Sequence, residues 1–354
     1  MSFQQWDPTA LPIRPGLYIN FKEAAVAQIT GGARGIVAIP LKTYTGGEAV
    51  AKTFYTIENE ADAATLFGQA NIQSIKLALQ AGAKEVLVYT LPTMDGTTVT
   101  EAAAYSEARL AFEARPFNVF VFDGEVSATE QDNTLTWVEQ NRAEKKHFFF
   151  VTGGSTADDT DPSIGNARST RLADDYVSNL IVGGNVSGVE YSSGEYAAYI
   201  AGLIAGTAIN RSITYMQVPL DDVNKRLRNS EIVTALQTGS LVLFHDGEKV
   251  KVEQGLTSSK NKIRRIRARQ AIATDIEKTA RDNYIGKLDN NEDGQMALIN
   301  AIKAYLEELE VNNVLTDITV TLDPTRASIG DQVFLAISYR EIDSMERIFL
   351  TINV

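Results

Sequence analysis

Apolar residues in this chain fall into two patterns: short continuous runs, and longer stretches in which they recur every three or four positions. Between residues 35 and 238 the two alternate. The runs are IVAIPL (36–41), VLVYTL (86–91), FNVFVF (117–122), HFFFVTG (147–153) and LIVGG (180–184), and helical patterns fill 61–80, 101–114 and 129–143. Runs apolar on both faces and joined by helices predict a mostly parallel or mixed sheet covered on each side, an α/β domain. Residues 196–209 form the longest apolar stretch, which is short of the roughly 20 residues a bilayer needs. Gly202 and Gly206 interrupt it, so it predicts a buried helix.

After Gly239 the pattern changes to α+β. LVLFHDGEKVKVEQG predicts a hairpin, because Asp246-Gly247 supplies tight-turn chemistry between two β-rich runs. Two helices are predicted next, over 262–284 and 295–309. In the second, Ile299, Ile302, Leu306 and Leu309 form a one-sided apolar stripe that calls for a core to cover it. The remainder reads as strand: 318–324, 331–340 and RIFLTINV, where Ile348, Leu350, Ile352 and Val354 alternate to the last residue. At the other end, Pro8, Pro12 and Pro15 suit an extended arm that leads to a short strand at 17–21. Fifteen residues at about 3.1 Å each span roughly 45 Å, enough to reach a neighbouring subunit. Strand addition to other subunits is one reading of these ends. Periodicity alone favours pairing of both ends within the chain.

Composition narrows the function. With 354 residues, 44% apolar and 22% charged, the chain is globular and long enough for two cores. Lys plus Arg total 33 against 45 Asp plus Glu, and the net charge of -12 argues against nucleic acid or an anionic membrane as a direct partner. Without cysteine there is no disulfide, thiolate metal site or cysteine nucleophile, which suits a reducing cytoplasm. The opening MSFQQWDPTALPIRPG shows no basic region followed by an apolar run, so no signal peptide is expected.

Candidate chemistry is sparse. Asp289, Asn291, Asp293 and Gly294 match the first half of a calcium-binding EF-hand loop, but Ala297 and Asn300 stand where its later ligands belong, so a polar turn between helices is expected. GGARG, TGGST and VGGNVSG lack the spacing of a phosphate-binding fingerprint and read as turns after strands. Neither His147 nor His245 has a triad or HExxH setting. The neighbouring pairs Asp158-Asp159, Asp174-Asp175 and Asp221-Asp222 read as solvated surface. No catalytic residue, cofactor site or metal site is expected. The one concentrated charge feature is basic: Lys260, Lys262, Arg264, Arg265, Arg267 and Arg269. It reads either as a dock for an acidic partner or as a helix face paired with local acids such as Asp275 and Glu277.

Several of these segments together resemble the phage tail sheath family, especially the smaller sheath proteins of Gram-positive prophages and phage-tail-like bacteriocins. They are GEYAAYIAGLIAGTAINRSITY (194–215), GSLVLFHDGEKVKVEQGLTS (239–258), the helical segments RARQAIATDIEKTARDNYIGK and MALINAIKAYLEELE, and near the start PGLYINFKEA and GGARGIVAIPL. The resemblance implies an extended arm at 1–20 that joins an inner domain, an outer α/β domain at 21–238, and an inner C-terminal sheath domain at 239–354. It implies donated inter-subunit strands, Leu17, Tyr18, Ile19, Asn20 and Phe21 at one end and Ile348, Phe349, Leu350, Thr351, Ile352, Asn353 and Val354 at the other, which complete a small sheet with a neighbour's hairpin. It also places Lys262, Arg264, Arg265, Arg267 and Arg269 toward the tail tube. The implied function is structural: a helical homo-oligomer around a tail tube, with baseplate and tail terminator proteins as further partners, assembled in the host cytoplasm into a virion or tail-like particle, and contracting to drive the tube through a cell envelope. The competing classes are an α/β enzyme or nucleotide-binding protein, suggested by the strand-helix alternation and Gly-rich turns, and a calcium-dependent interaction module.

Overall fold

The structure, a computed structural model, describes residues 34–94 and 96–353. The expected strand at Leu17, Tyr18, Ile19, Asn20 and Phe21 lies outside the described residues, as does Val354. The chain divides into two compact units, one of residues 31–274 with 341–354 and the other of residues 1–30 with 275–340.

The larger unit is built on one sheet. Its strands and helices follow in the order β1 (Ile36–Leu41), β2 (Phe54–Ile57), α1 (Glu60–Phe67), α2 (Gln73–Gln80), β3 (Glu85–Thr90), α3 (Glu101–Phe112), β4 (Val119–Val121), α4 (Ala128–Ala143), β5 (Phe149–Thr152), α5 (Thr156–Asp159), α6 (Pro162–Arg171) and β6 (Val177–Leu180). Then come β7 (Gly184–Val186), β8 (Val189–Tyr191), α7 (Ser193–Gly206), β9 (Asp222–Val223), α8 (Asn229–Thr238), β10 (Ser240–Leu241), β11 (Leu243–His245), β12 (Val250–Val252) and α9 (Ile263–Asn283), whose C-terminal end enters the smaller unit. The main sheet has the order β10-β6-β5-β4-β1-β3-β2 and is parallel except for β2, which pairs antiparallel with β3 at one edge. The mixed sheet expected from the alternation is present.

Both sheet faces are covered, which is why its strands read as continuous apolar runs. Val37, Ile39, Val86, Val88, Val121 and Val151 point to one face, where α1, α2 and α7 pack. Ala38, Leu87, Tyr89, Phe120 and Phe150 point to the other, beneath α3 and α4. The stretch expected to be a buried helix is α7. A capping box between Ser192 and Glu195 starts it, and from Tyr196 to Ala205 every residue is buried. Small residues let it approach α2: a Cβ added at Gly202 would lie 2.2 Å from the Ala78 carbonyl oxygen, and one at Gly206 would lie 2.1 Å from that of Gly82.

Three differences from the sequence reading have clear causes. The single helix expected over 61–80 is two, because Gly68 adopts φ +83° and caps α1 by bonding its N–H to the Ala64 carbonyl. The run LIVGG straddles two sheets: β6 ends at Leu180, and Gly184 begins β7 in a separate sheet of order β8-β7-β9. Gly239 is the left-handed cap of α8, and β10 directly after it pairs with β6. Residue 239 therefore does not mark a boundary between compact units.

The smaller unit holds the end of α9, α10 (Glu292–Val311), β13 (Leu315–Leu322) and β14 (Leu335–Glu341), whose last residue belongs to the larger unit. The predicted stripe of Ile299, Ile302, Leu306 and Leu309 is buried, with Tyr305 beside it donating to Asp275 Oδ2 at 2.5 Å. β13 and β14 pair with each other alone among the described residues. Asp317 and Arg340 form an ion pair across them, and Thr319 and Ser338 share a hydroxyl hydrogen bond.

Two carboxylates, Asp159 and Asp174, depart from the solvated reading of the aspartate pairs. Asp159 is buried, and it accepts hydrogen bonds from the Gly183 and Ser193 amides at 2.8 and 2.7 Å and from Ser193 Oγ at 2.5 Å. Burial outweighs these bonds and pushes its pKa up to about 6.

Two stability predictions follow from these contacts. Gly202→Ala should lower the unfolding free energy by about 2 kcal/mol, seen as an earlier urea midpoint, because backbone must move to admit the methyl group. For Asp159, the folded state holds the extra proton between the ordinary value of 3.8 and about 6. This term therefore favours folding as pH falls through that window. Relative to Asp159→Asn, the native chain should gain roughly 2 kcal/mol between pH 7 and pH 4, measured by urea unfolding of both proteins at both pH values.

Candidate assembly site

Chemistry-bearing residues do not converge in this fold. Asn291 Oδ1 accepts the Gly294 amide at 2.9 Å and caps α10, so the EF-hand-like segment serves as a helix start. No group of three or more His, Asp or Glu side chains is arranged to hold a metal ion among the described residues. At the Gly-rich turn after β5, a Cβ on Gly153 would meet the Ser193 backbone at 2.2 Å and one on Gly154 would meet Arg168 Nη2 at 1.9 Å. These glycines answer to close packing. His245 Nδ1 accepts the Gly247 amide within the hairpin turn, and His147 Nδ1 meets Tyr176 Oη.

The neighbouring aspartates part company. Asp158 pairs with Arg168 and Asp159 with Ser193, Asp174 forms a two-point contact with Arg142, and Asp175 accepts from Ser259 and Asn261. Asp222 pairs with Arg226, and Asp221 accepts the Ser187 amide.

What stands out instead is the carboxyl-terminal segment. Beyond β14 no strand pairing occurs among the described residues, up to Asn353. Its apolar side chains lie in solvent: Ile348 is 67% exposed, Phe349 90%, Leu350 81% and Ile352 80%. Thr351 and Asn353 are exposed as well. An apolar alternating strand without a partner exposes both its side chains and its backbone groups, the condition that strand addition relieves.

Residues 341–346, just before this strand, are held along the N-terminal turns of α9. Arg265 donates to Glu341 Oε2 from Nε and Nη2 at 3.0 and 2.8 Å, and Arg269 joins the same carboxylate. Lys262 Nζ lies 3.0 Å from Asp343 and 2.9 Å from Glu346. Arg264 Nη1 donates to Ser344 Oγ at 2.9 Å. Glu346, with its side chain only 7% exposed, also accepts from Gln254 Nε2 at 2.7 Å and Thr214 Oγ1 at 2.9 Å. Burial works to raise the Glu341 carboxyl, but Arg269 and Arg265 outweigh it and hold the group below its ordinary range. Likewise burial opposes the charge on Lys262, and Glu346 and Asp343 outweigh that and raise its pKa.

Arg264 and Arg267 are the buried members of the segment. Arg267 turns away from the acids: its Nη2 donates to the Thr207 carbonyl at 2.6 Å just beyond α7, and burial lowers its pKa to about 10. The basic segment thus pairs with acids some 80 residues further along the chain. Asp275 and Glu277, the acids expected from sequence, bond to Tyr305 and Arg281. A sequence signal for the true partners existed: Glu341, Asp343 and Glu346 cluster directly before the last apolar strand, opposite in sign to the chain's one basic concentration.

Comparison with known proteins gives this arrangement a context. A family model for the phage tail sheath protein central domain matches residues 98–258, and one for the phage tail sheath C-terminal domain matches residues 257–354. A tail sheath protein of Clostridium phage phiCD119 is 24% identical over 371 aligned positions, spanning 95% of this chain and 98% of that protein. The sheath tail protein of Desulfitobacterium hafniense has a similar fold, with a TM-score of 0.72 at 18% identity, covering 92% of this chain and 100% of that one. The contracted helical sheath of the anti-feeding prophage is similar too, with a TM-score of 0.69 at 14% identity over 97% and 99% of the two chains. The two family matches run on from residue 98 to the end of the sequence, and the chain belongs to the phage tail sheath family.

Proposed function

We propose that this chain is the structural subunit of a contractile tail sheath, and that its copies are joined by strands donated from one subunit to the next. The observation that carries the strand-donation reading is the carboxyl-terminal segment, apolar, alternating and without strand pairing among the described residues. A fitting acceptor exists on every copy. β13 and β14 form a two-stranded sheet among the described residues, and such a hairpin gains stability from a third and fourth strand. Residues 348–353 of one neighbour would supply one, and Leu17, Tyr18, Ile19, Asn20 and Phe21 of another the second.

Around this mesh the remaining partners follow from the family: a tail tube inside the sheath, a baseplate at one end and a terminator at the other, in a virion or tail-like particle assembled in the host cytoplasm. The extended sheath would be a metastable polymer. Contraction would proceed as subunit bodies gain contacts while the donated strands keep them connected, so assembly free energy drives the tube forward and no nucleotide is consumed. Of the competing classes, the nucleotide-binding reading loses its motive once the Gly-rich turn after β5 is seen packed against Ser193 and Arg168. The calcium reading loses its own once Asn291 is seen capping α10.

The test is a proline. Leu350→Pro removes a backbone donor and resists the paired conformation, in a segment without strand pairing in its own subunit. The variant should unfold at the temperature of the native chain yet form no sheath when produced with its tube, as judged by negative-stain electron microscopy. Deletion of residues 348–354 should behave the same way. Sheaths of normal length from either protein would refute strand donation by this arm.

A further inference from the structure

We propose that residues 341–346 and the N-terminal turns of α9 form a polar clamp that aims the carboxyl-terminal arm before any neighbour is present, with Glu346 and Glu341 as its positioning residues. This deepens the strand-donation reading and rests on it. It also gives the basic segment a role at the arm rather than at the tube.

The geometry separates the arm sharply into two parts. From Glu341 to Glu346 four of six residues are anchored: Glu341 by Arg265 and Arg269, Asp343 by Lys262, Ser344 by Arg264, and Glu346 by Lys262, Gln254 and Thr214. Two successive carboxylates thus meet the same lysine from the arm side. From Ile348 onward the side chains stand in solvent. The clamp's own support is rigid, because Arg267, on the same helix, is buried against the Thr207 carbonyl. A single ion pair at a surface contributes little. Here Glu346 is nearly enclosed and has three partners on three different segments, at residues 214, 254 and 262, so its bonds are charge-assisted and mutually fixed in direction.

An arm held at its root searches a narrow cone, whereas one loose from residue 341 would sweep a far larger volume. Only the fraction of subunits with the arm in a usable direction can join a polymer, and the apparent affinity falls in proportion to that fraction. A clamp that keeps nearly all subunits competent therefore lowers the concentration at which sheath forms, without adding any contact to the interface. It also fixes where bending can begin, at the step from Glu346 to Ile348.

The full-length chain has no cysteine, so a pair of spin labels can be placed at will. Met345, which is 84% exposed, and Val233, exposed on α8 in the same unit, serve as Met345→Cys and Val233→Cys. The interspin distance distribution of the unassembled chain should be narrow. Adding Glu341→Gln and Glu346→Gln should at least double its width while the melting temperature stays within a few degrees. In unlabelled protein the same two substitutions should raise the concentration at which half the chain enters pelletable polymer about tenfold, for a competent fraction reduced to about a tenth. A broad distribution in the unsubstituted chain, or an unchanged one in the double variant, would overturn the clamp. So would a broad distribution accompanied by undiminished assembly. These outcomes are distinct from failure of strand donation, which shows as normal sheaths from the chain lacking residues 348–354.

Discussion

Residues 348–353 have no strand pairing among the described residues, and the apolar side chains they carry stand in solvent. In a folded monomer that is a standing liability, since such an edge pairs with whatever strand it meets. Under the proposed strand donation it becomes the connection between subunits of a polymer. The rest of the structure can be understood as what is required to carry such a strand on a stable body and to present it in one direction. The charge of -12 belongs to that requirement, because mutual repulsion discourages indiscriminate association of chains that expose an apolar strand.

The body supplies rigidity through a short chain of contacts. α7 lies against one face of the seven-stranded sheet, and Gly202 and Gly206 let it sit on α2 with backbones nearly touching. Just past α7, the Thr207 carbonyl receives the buried guanidinium of Arg267, which fixes the first turns of α9 to the core. From that anchored helix Lys262, Arg265 and Arg269 reach the acids at the root of the arm. Each step converts packing into direction: tight helix packing places a carbonyl, the carbonyl orients an arginine, and the helix so held presents its other cations to the arm.

Most of the α/β body could be read from residues alone because its signals are local. Runs such as VLVYTL and FNVFVF are apolar on both faces, and a covered parallel sheet is the simplest structure that accepts them. The elements missed were those whose cause is not local. β2 contains polar and apolar residues without a clean alternation, since it sits at an edge. α6 carries few apolar residues and is defined by its Asp161 cap and Pro162 at its start. The break at Gly68 depends on a left-handed glycine inside a helical pattern, which sequence tolerates either way. The exposed apolar tip of the carboxyl-terminal segment follows an alternation legible in the sequence, whereas its polar root was illegible. The basic segment gave a clear charge signal, but its partners lie about 80 residues away, and charge carries no information on distance along a chain. Proximity in sequence favoured Asp275 and Glu277, and topology chose Glu341, Asp343 and Glu346 instead.

That choice has a mechanical consequence. A link between subunits of a contracting polymer must tolerate large changes in the relative placement of the bodies it joins without letting go. If the link were flexible throughout, it would transmit no information about where the next subunit belongs; if it were rigid throughout, contraction would have to break it. An arm clamped through residue 346 and free beyond it divides those demands between two stretches of chain. Under the proposed strand donation, the paired strand would stay with the neighbour and the clamped root with its own body, and the backbone change would be confined to the few residues between them, where hinges of this kind operate through φ and ψ with little loss of contact. The polar character of the clamp suits this division, because ion pairs partly open to solvent can exchange partners or adjust in length at small cost, whereas an apolar anchor would have to expose its surface to yield at all.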